Sequence, residues 1–186
     1  MKITSPAKTP VRPDPASLAL VLYPAPVLKK TAKDVERFDQ WLADVIEQMK
    51  KIMVENKGVG LAAPQVGLSL RIFVASPSGK EEEALAFVNP FLSNEQGSDE
   101  GEEGCLSLPD IRIKVTRFKK LRVEALDIHG TPFLADLEDF PARIIQHEND
   151  HLEGILLLDR MSPVAQLANR KKIKALETPP SAPKLR

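Results

Sequence analysis

The segment Gln146-His147-Glu148-Asn149-Asp150-His151 constrains this chain more than any other. His147 and His151 are four residues apart, so on a helix both imidazoles leave one face, a turn apart. That spacing lets both rings reach a single metal ion at about 2.0–2.1 Å. Glu148 lies beside them, placed to act on a water without ligating. Pro141 suits the first turn of such a helix and Gly154 suits its stop, with Asp139 near the start. Phe140, Ile144 and Leu152 are expected to anchor it in a core. A helix with apolar flanks and a polar catalytic face belongs inside a domain.

Two histidines are too few, since a catalytic site usually has three protein ligands and an open position. A third histidine after Gly154 would fall at Leu157, which excludes the metzincin pattern. Glu177 is a poor downstream carboxylate because it adjoins a proline-rich end. His129 sits in a His-Gly turn and stays possible. Cys105, the only cysteine of the chain, is the other candidate, because a thiolate partners two imidazoles well on zinc or ferrous iron.

Around this segment the chain reads as one domain. Its 186 residues carry 26 Lys+Arg and 26 Asp+Glu. That balance lacks the basic excess of a general DNA binder or an anionic-membrane binder. No apolar stretch approaches the ~20 residues that span a bilayer, and no signal peptide is expected. A single thiol fits a reducing compartment, so the expected location is cytoplasmic. Nine of the 16 prolines fall in residues 1–26 and 179–186. Residues 1–17 therefore read as a disordered leader, 18–176 as the domain and 177–186 as a disordered tail.

Within the domain, Asp39 caps a first helix whose inner face is Trp41, Leu42, Val45, Ile46, Met49, Ile52 and Met53, with Gly58 as its stop. Strands are expected at 70–75 and 84–89. Residues 93–103, with five acids and two glycines, read as an exposed loop. Alternation in 111–115 and 121–128 predicts half-buried antiparallel strands with Ile111, Ile113, Val115, Leu121 and Val123 inward. A basic stretch after Asn169 predicts a short C-terminal helix. The fold class is α+β: antiparallel or mixed strands packed around a central helix carrying His-Glu-x-x-His, with an N-terminal helix before it and a short helix at the end.

Three segments together resemble the peptide deformylases: GVGLAAPQVG at 58–67, EGCLS at 103–107 and QHENDHLEG at 146–154. The resemblance runs from about Leu18 to Met161. It implies that Cys105, His147 and His151 hold one divalent metal, Fe2+ natively, with Zn2+, Ni2+ or Co2+ as substitutes. It makes Glu148 the general base, and Gln65 (side-chain amide) and Leu106 (backbone amide) the donors to an oxyanion. Val59, Gly60, Gly104 and Ile144 would contact substrate, Val59 and Ile144 lining an apolar slot for a methionine side chain, while Gly58 and Gly60 would let a substrate strand approach. The implied substrates are N-formyl-methionyl nascent peptides. Arg170, Lys171, Lys172 and Lys174 suggest attraction to the ribosome. An endopeptidase of the zincin type shares the helix but neither the cysteine nor the GVGLAAPQ segment. An inactive metal-binding module would be expected to have lost Glu148, Gln65 or Cys105.

Overall fold

The computed structural model describes residues 12–178; the proposed leader up to residue 11 and the tail from 179 lie outside them. Helix α1, Gln40–Glu55, starts where expected: the Asp39 carboxylate accepts from the Leu42 N–H. Its inner face is buried as predicted, with Trp41 only half-buried. The Trp41 indole donates to the Pro13 carbonyl, and the Arg12 guanidinium lies over its ring. Residues 12–17 thus lie against α1. The stop differs from expectation by one residue. Lys57, not Gly58, takes the left-handed conformation (φ 56°), while the Gly58 N–H closes onto Met53. This is a Schellman-type end in which a lysine bears the strain a glycine would avoid.

Five strands form one antiparallel sheet in the order β1 (Gly60–Ala62), β2 (Ile72–Ala75), β3 (Leu85–Gln96), β6 (Lys120–Leu126), β7 (Pro132–Glu138); β4 (Asp99–Cys105) and β5 (Leu108–Arg117) pair separately. Alternation on β2 separates two cores. Ile72 and Val74 pack with α1, whereas Phe73 and Ala75 pack with helix α2, Asp139–Leu152. Against Phe73, Phe87, Leu121 and Val123, α2 buries Ala142, Ile144, Ile145 and Leu152. A third cluster under β5 joins Ile111, Ile113 and Val115 to Leu157 and Met161, and to Ala165, Ile173 and Leu176 of helix α3, Pro163–Glu177. The α+β expectation holds, with α2 central.

Residues 93–103 are not a loop. Most of the segment is strand: the end of β3 and nearly all of β4. The acids that suggested solvation instead face bases across the β4–β5 pair. Lys114 reaches Glu100, and Arg112 reaches Glu102. Opposite charges across a ladder favour pairing, which reading the acids without their partners misses. Strand β7 was also not foreseen. Phe140 is half exposed rather than anchored, because the buried face of α2 begins at Ala142.

Candidate metal centre and active site

The strand–turn junctions and α2 deliver the site. Cys105 ends β4, and α2 presents His147 and His151 one turn apart. One ligand atom from each of the three lies within 4.8 Å of the others. The Cys105 Sγ is 3.3 Å from His151 Nε2. His129 is exposed in the Asp127–Thr131 turn, and Glu177 accepts from the Tyr23 hydroxyl at 2.8 Å, so neither joins the group. The cysteine is therefore the third member.

This donor set suits a divalent cation. Burial opposes charge on His147, yet hydrogen bonding to Cys105 and Glu103 outweighs it and pushes the imidazole up to about 10. Burial, reinforced by the charge on His147, pushes His151 well below the usual histidine value. One thiol and two imidazoles within 4.8 Å of one another are the donor types that zinc and ferrous iron take. The His151 Nδ1 is buried without a protein partner among the described residues.

The second nitrogen of His147 is fixed. Its Nδ1 lies 2.9 Å from Glu103 Oε2, the kind of outer contact that sets ring orientation and tautomer in metal sites. Arg117 in turn grips Glu103 with two hydrogen bonds of 2.9 Å and reaches Asp150 at 2.6 Å. Arg160 closes the chain on Asp150. Burial would raise the Glu103 carboxyl, but the hydrogen bonds from Arg117 and His147 dominate and hold it well below the usual carboxylate range. Glu103 as the partner of His147, and Arg117 behind it, were missed in the sequence. Only the hairpin brings Arg117 back beside Glu103, so no local signal announced the pair. Asp150 is ion-paired with Arg117 and Arg160, and Arg143 with Asp99 and Glu103.

Gln65 rides on a short 3-10 turn, Ala63–Val66, directly after β1. Its Oε1 accepts from the Ala62 N–H at 2.9 Å, which turns the amide NH2 toward the site, 3.4 Å from Cys105 Sγ and 3.3 Å from Ser107 Oγ. Glu148 is buried; burial pushes its carboxyl up to about 7, and Oε2 has no partner among the described residues. Gly60 makes room for it: a Cβ there would lie 2.7 Å from the Glu148 carboxyl carbon. The glycine expected to admit a substrate strand thus first admits the glutamate. Leu106 opens the turn between Cys105 and β5. A pocket of about 550 Å3 opens over this floor and is bordered by Val59, Gly60, Gly104 and Ile144, as expected for substrate contacts, and by Phe140, which was not.

The polypeptide deformylase family model matches residues 17–167. A peptide deformylase of Desulfotalea psychrophila is 40% identical over 162 residues, covering 86% of this chain and 96% of that protein. The crystal structure of a peptide deformylase from Legionella pneumophila superposes with a TM-score of 0.81 at 40% identity, covering 86% of this chain and 95% of that one. A plant peptide deformylase structure reaches 0.85 at 38% identity, over 90% and 92%. With the cysteine and both histidines in one cluster, the glutamate beside it, and these likenesses spanning nearly the whole domain, the chain belongs to the polypeptide deformylase family.

Proposed function

We propose that this protein is a metal-dependent hydrolase that removes the N-formyl group from the N-terminal formyl-methionine of newly synthesised polypeptides, releasing formate. The observation that carries the reading is Glu148: a buried carboxylate with a free oxygen, beside a Cys-His-His cluster and an oriented amide. A divalent metal held by Cys105, His147 and His151 supplies Lewis acidity and lowers the pKa of a water toward neutrality. Fe2+ is the ion we assign natively, with Zn2+, Ni2+ or Co2+ able to replace it.

Glu148 takes the proton of the attacking water and returns it to the departing amine nitrogen. Burial raises this carboxyl above the usual glutamate range, which favours a group that both takes and returns a proton. The formyl oxygen becomes an oxyanion as the carbon turns tetrahedral. The Gln65 amide, held by the Ala62 N–H, and the Leu106 backbone N–H donate to it without reorganising. Val59 and Ile144 line the side-chain slot, and Gly60 and Gly104 leave room for the peptide backbone.

The test is anaerobic purification with metal analysis, followed by turnover of a formyl-Met peptide on the same sample. Glu148→Gln keeps its metal and loses turnover by on the order of 10²–10⁴; near-normal turnover refutes the role. No helix among the described residues is long and apolar enough to cross a membrane, and we assign the protein to the cytoplasm. We further propose that α3 meets the ribosome through Arg170, Lys171 and Lys174. Its apolar side is packed on β5, so reversing these three charges tests the idea without uncovering the core. Salt-dependent loss of ribosome co-sedimentation supports it, and unchanged co-sedimentation removes it.

A further inference from the structure

We infer that helix α3 holds the turn between β4 and β5 in its working position, through Lys172 and Glu177. Both are positioning residues for the oxyanion donor at Leu106. The inference rests on the deformylase reading above. The turn joins Cys105, a member of the metal cluster, to Leu106 and Ser107. Ser107 Oγ lies 3.3 Å from the Gln65 amide nitrogen, so both proposed oxyanion donors adjoin this turn.

The ladder gives the turn little support on its β5 side. Gly104 pairs with Arg112 and Cys105 with Leu108, which leaves Pro109, Asp110 and Ile111 without partners on β4. Such a bulge frees the strand locally from its neighbour. Asp110, at its centre, is left-handed (φ 62°), a conformation that aspartate tolerates without favouring. It borders the same pocket as Cys105 and Leu106.

Helix α3 supplies what the ladder does not. Its stripe of Ala165, Ile173 and Leu176 packs on the cluster that contains Leu108 and Ile111. At about 100° per residue, Lys172 and Glu177 flank that stripe. On one flank, Lys172 Nζ donates to the Asp110 carbonyl at 2.6 Å. On the other, Glu177 accepts from the Tyr23 hydroxyl at 2.8 Å, and the Tyr23 backbone N–H donates to the Ser107 carbonyl at 3.0 Å. The turn is thus tethered at Ser107 and at Asp110, on either side of Leu108. An oxyanion donor acts by being aimed before the charge forms. A small displacement imposed from outside the reacting atoms therefore costs rate.

The experiment measures kcat, KM, metal content and melting temperature on a formyl-Met tripeptide substrate for the parent, Lys172→Met, Lys172→Arg, Tyr23→Phe and the double variant Lys172→Met with Tyr23→Phe. Methionine and arginine keep the helix, and phenylalanine keeps the backbone N–H that meets Ser107. With kcat taken per bound metal, the double variant loses about threefold or more while KM stays parental. Lys172→Arg, which retains a donor, keeps the parental kcat. A double variant with parental kcat overturns the inference alone, as does a loss confined to KM or a Lys172→Arg variant as slow as Lys172→Met. If the double variant does not stay folded at the assay temperature, Lys172→Met alone decides by the same criteria. A parent inactive on formyl-Met overturns the deformylase reading and this inference with it.

Discussion

Gly60 and Glu148 share one space: the carboxylate of Glu148 occupies the position that a side chain at residue 60 would take. Strand β1 can therefore run directly over the catalytic face of α2. Gly60→Ala should displace Glu148 and lower kcat on a formyl-Met peptide by at least tenfold, while the metal content stays at the parental level. Parental kcat would show that the contact relaxes without consequence.

Cys105 ends a strand and the two histidines sit on a helix, so a metal held by all three would tie β4 to α2. Binding to the folded state alone stabilises it by mass action, about 2.7 kcal/mol at a hundredfold excess over Kd. Chelation should lower the melting temperature of the parent by several degrees. Cys105→Ser, with greatly weakened metal binding, should melt at the lower temperature with or without chelator. Retention of stoichiometric metal by this variant would remove Cys105 from the ligand set.

Arg117 is buried between Glu103 and Asp150. Arg117→Met would leave two carboxylates without their shared donor, a loss of about 3–5 kcal/mol for a broken buried pair. Urea unfolding at neutral pH measures it. A midpoint close to that of the parent would mean that Arg143 and Arg160 suffice for the two acids.

Asp39 caps α1 and is held below the usual aspartate range, first by the hydrogen bond from Arg12 and also by the Leu42 N–H. A depressed folded value means that this contribution is complete above the ordinary aspartate value of 3.8 and is lost as pH falls through the folded one. Asp39→Asn keeps a capping oxygen but carries no charge. Its stability deficit against the parent should shrink as the solution is acidified below about pH 4. A deficit independent of pH would show that the charge plays no part.

How much of the fold was legible varies by element. The inner face of α1, the caps at Asp39 and Gly154, and the inward residues of β5 and β6 follow from local periodicity and cap chemistry, which the chain carries in neighbouring residues. Strand β4 did not follow, because its acids gain meaning only from Lys114 and Arg112 on the next strand. The same holds for the site. His147, Glu148 and His151 are fixed by one helical turn, and Cys105 and Gln65 could be named because whole segments resembled a family.

The sequence by itself carried the candidate ligands, the helix that bears two of them and the glutamate we propose as the base. Tertiary structure alone decided which atom orients His147, why residue 60 is a glycine and which carboxylates hold Arg143. Each of these is a contact between residues at least 40 apart in the chain. Local pattern has no range over such distances: the burial that raises Glu148 and the arginines that lower Glu103 exist only once the sheet and α2 have closed on each other.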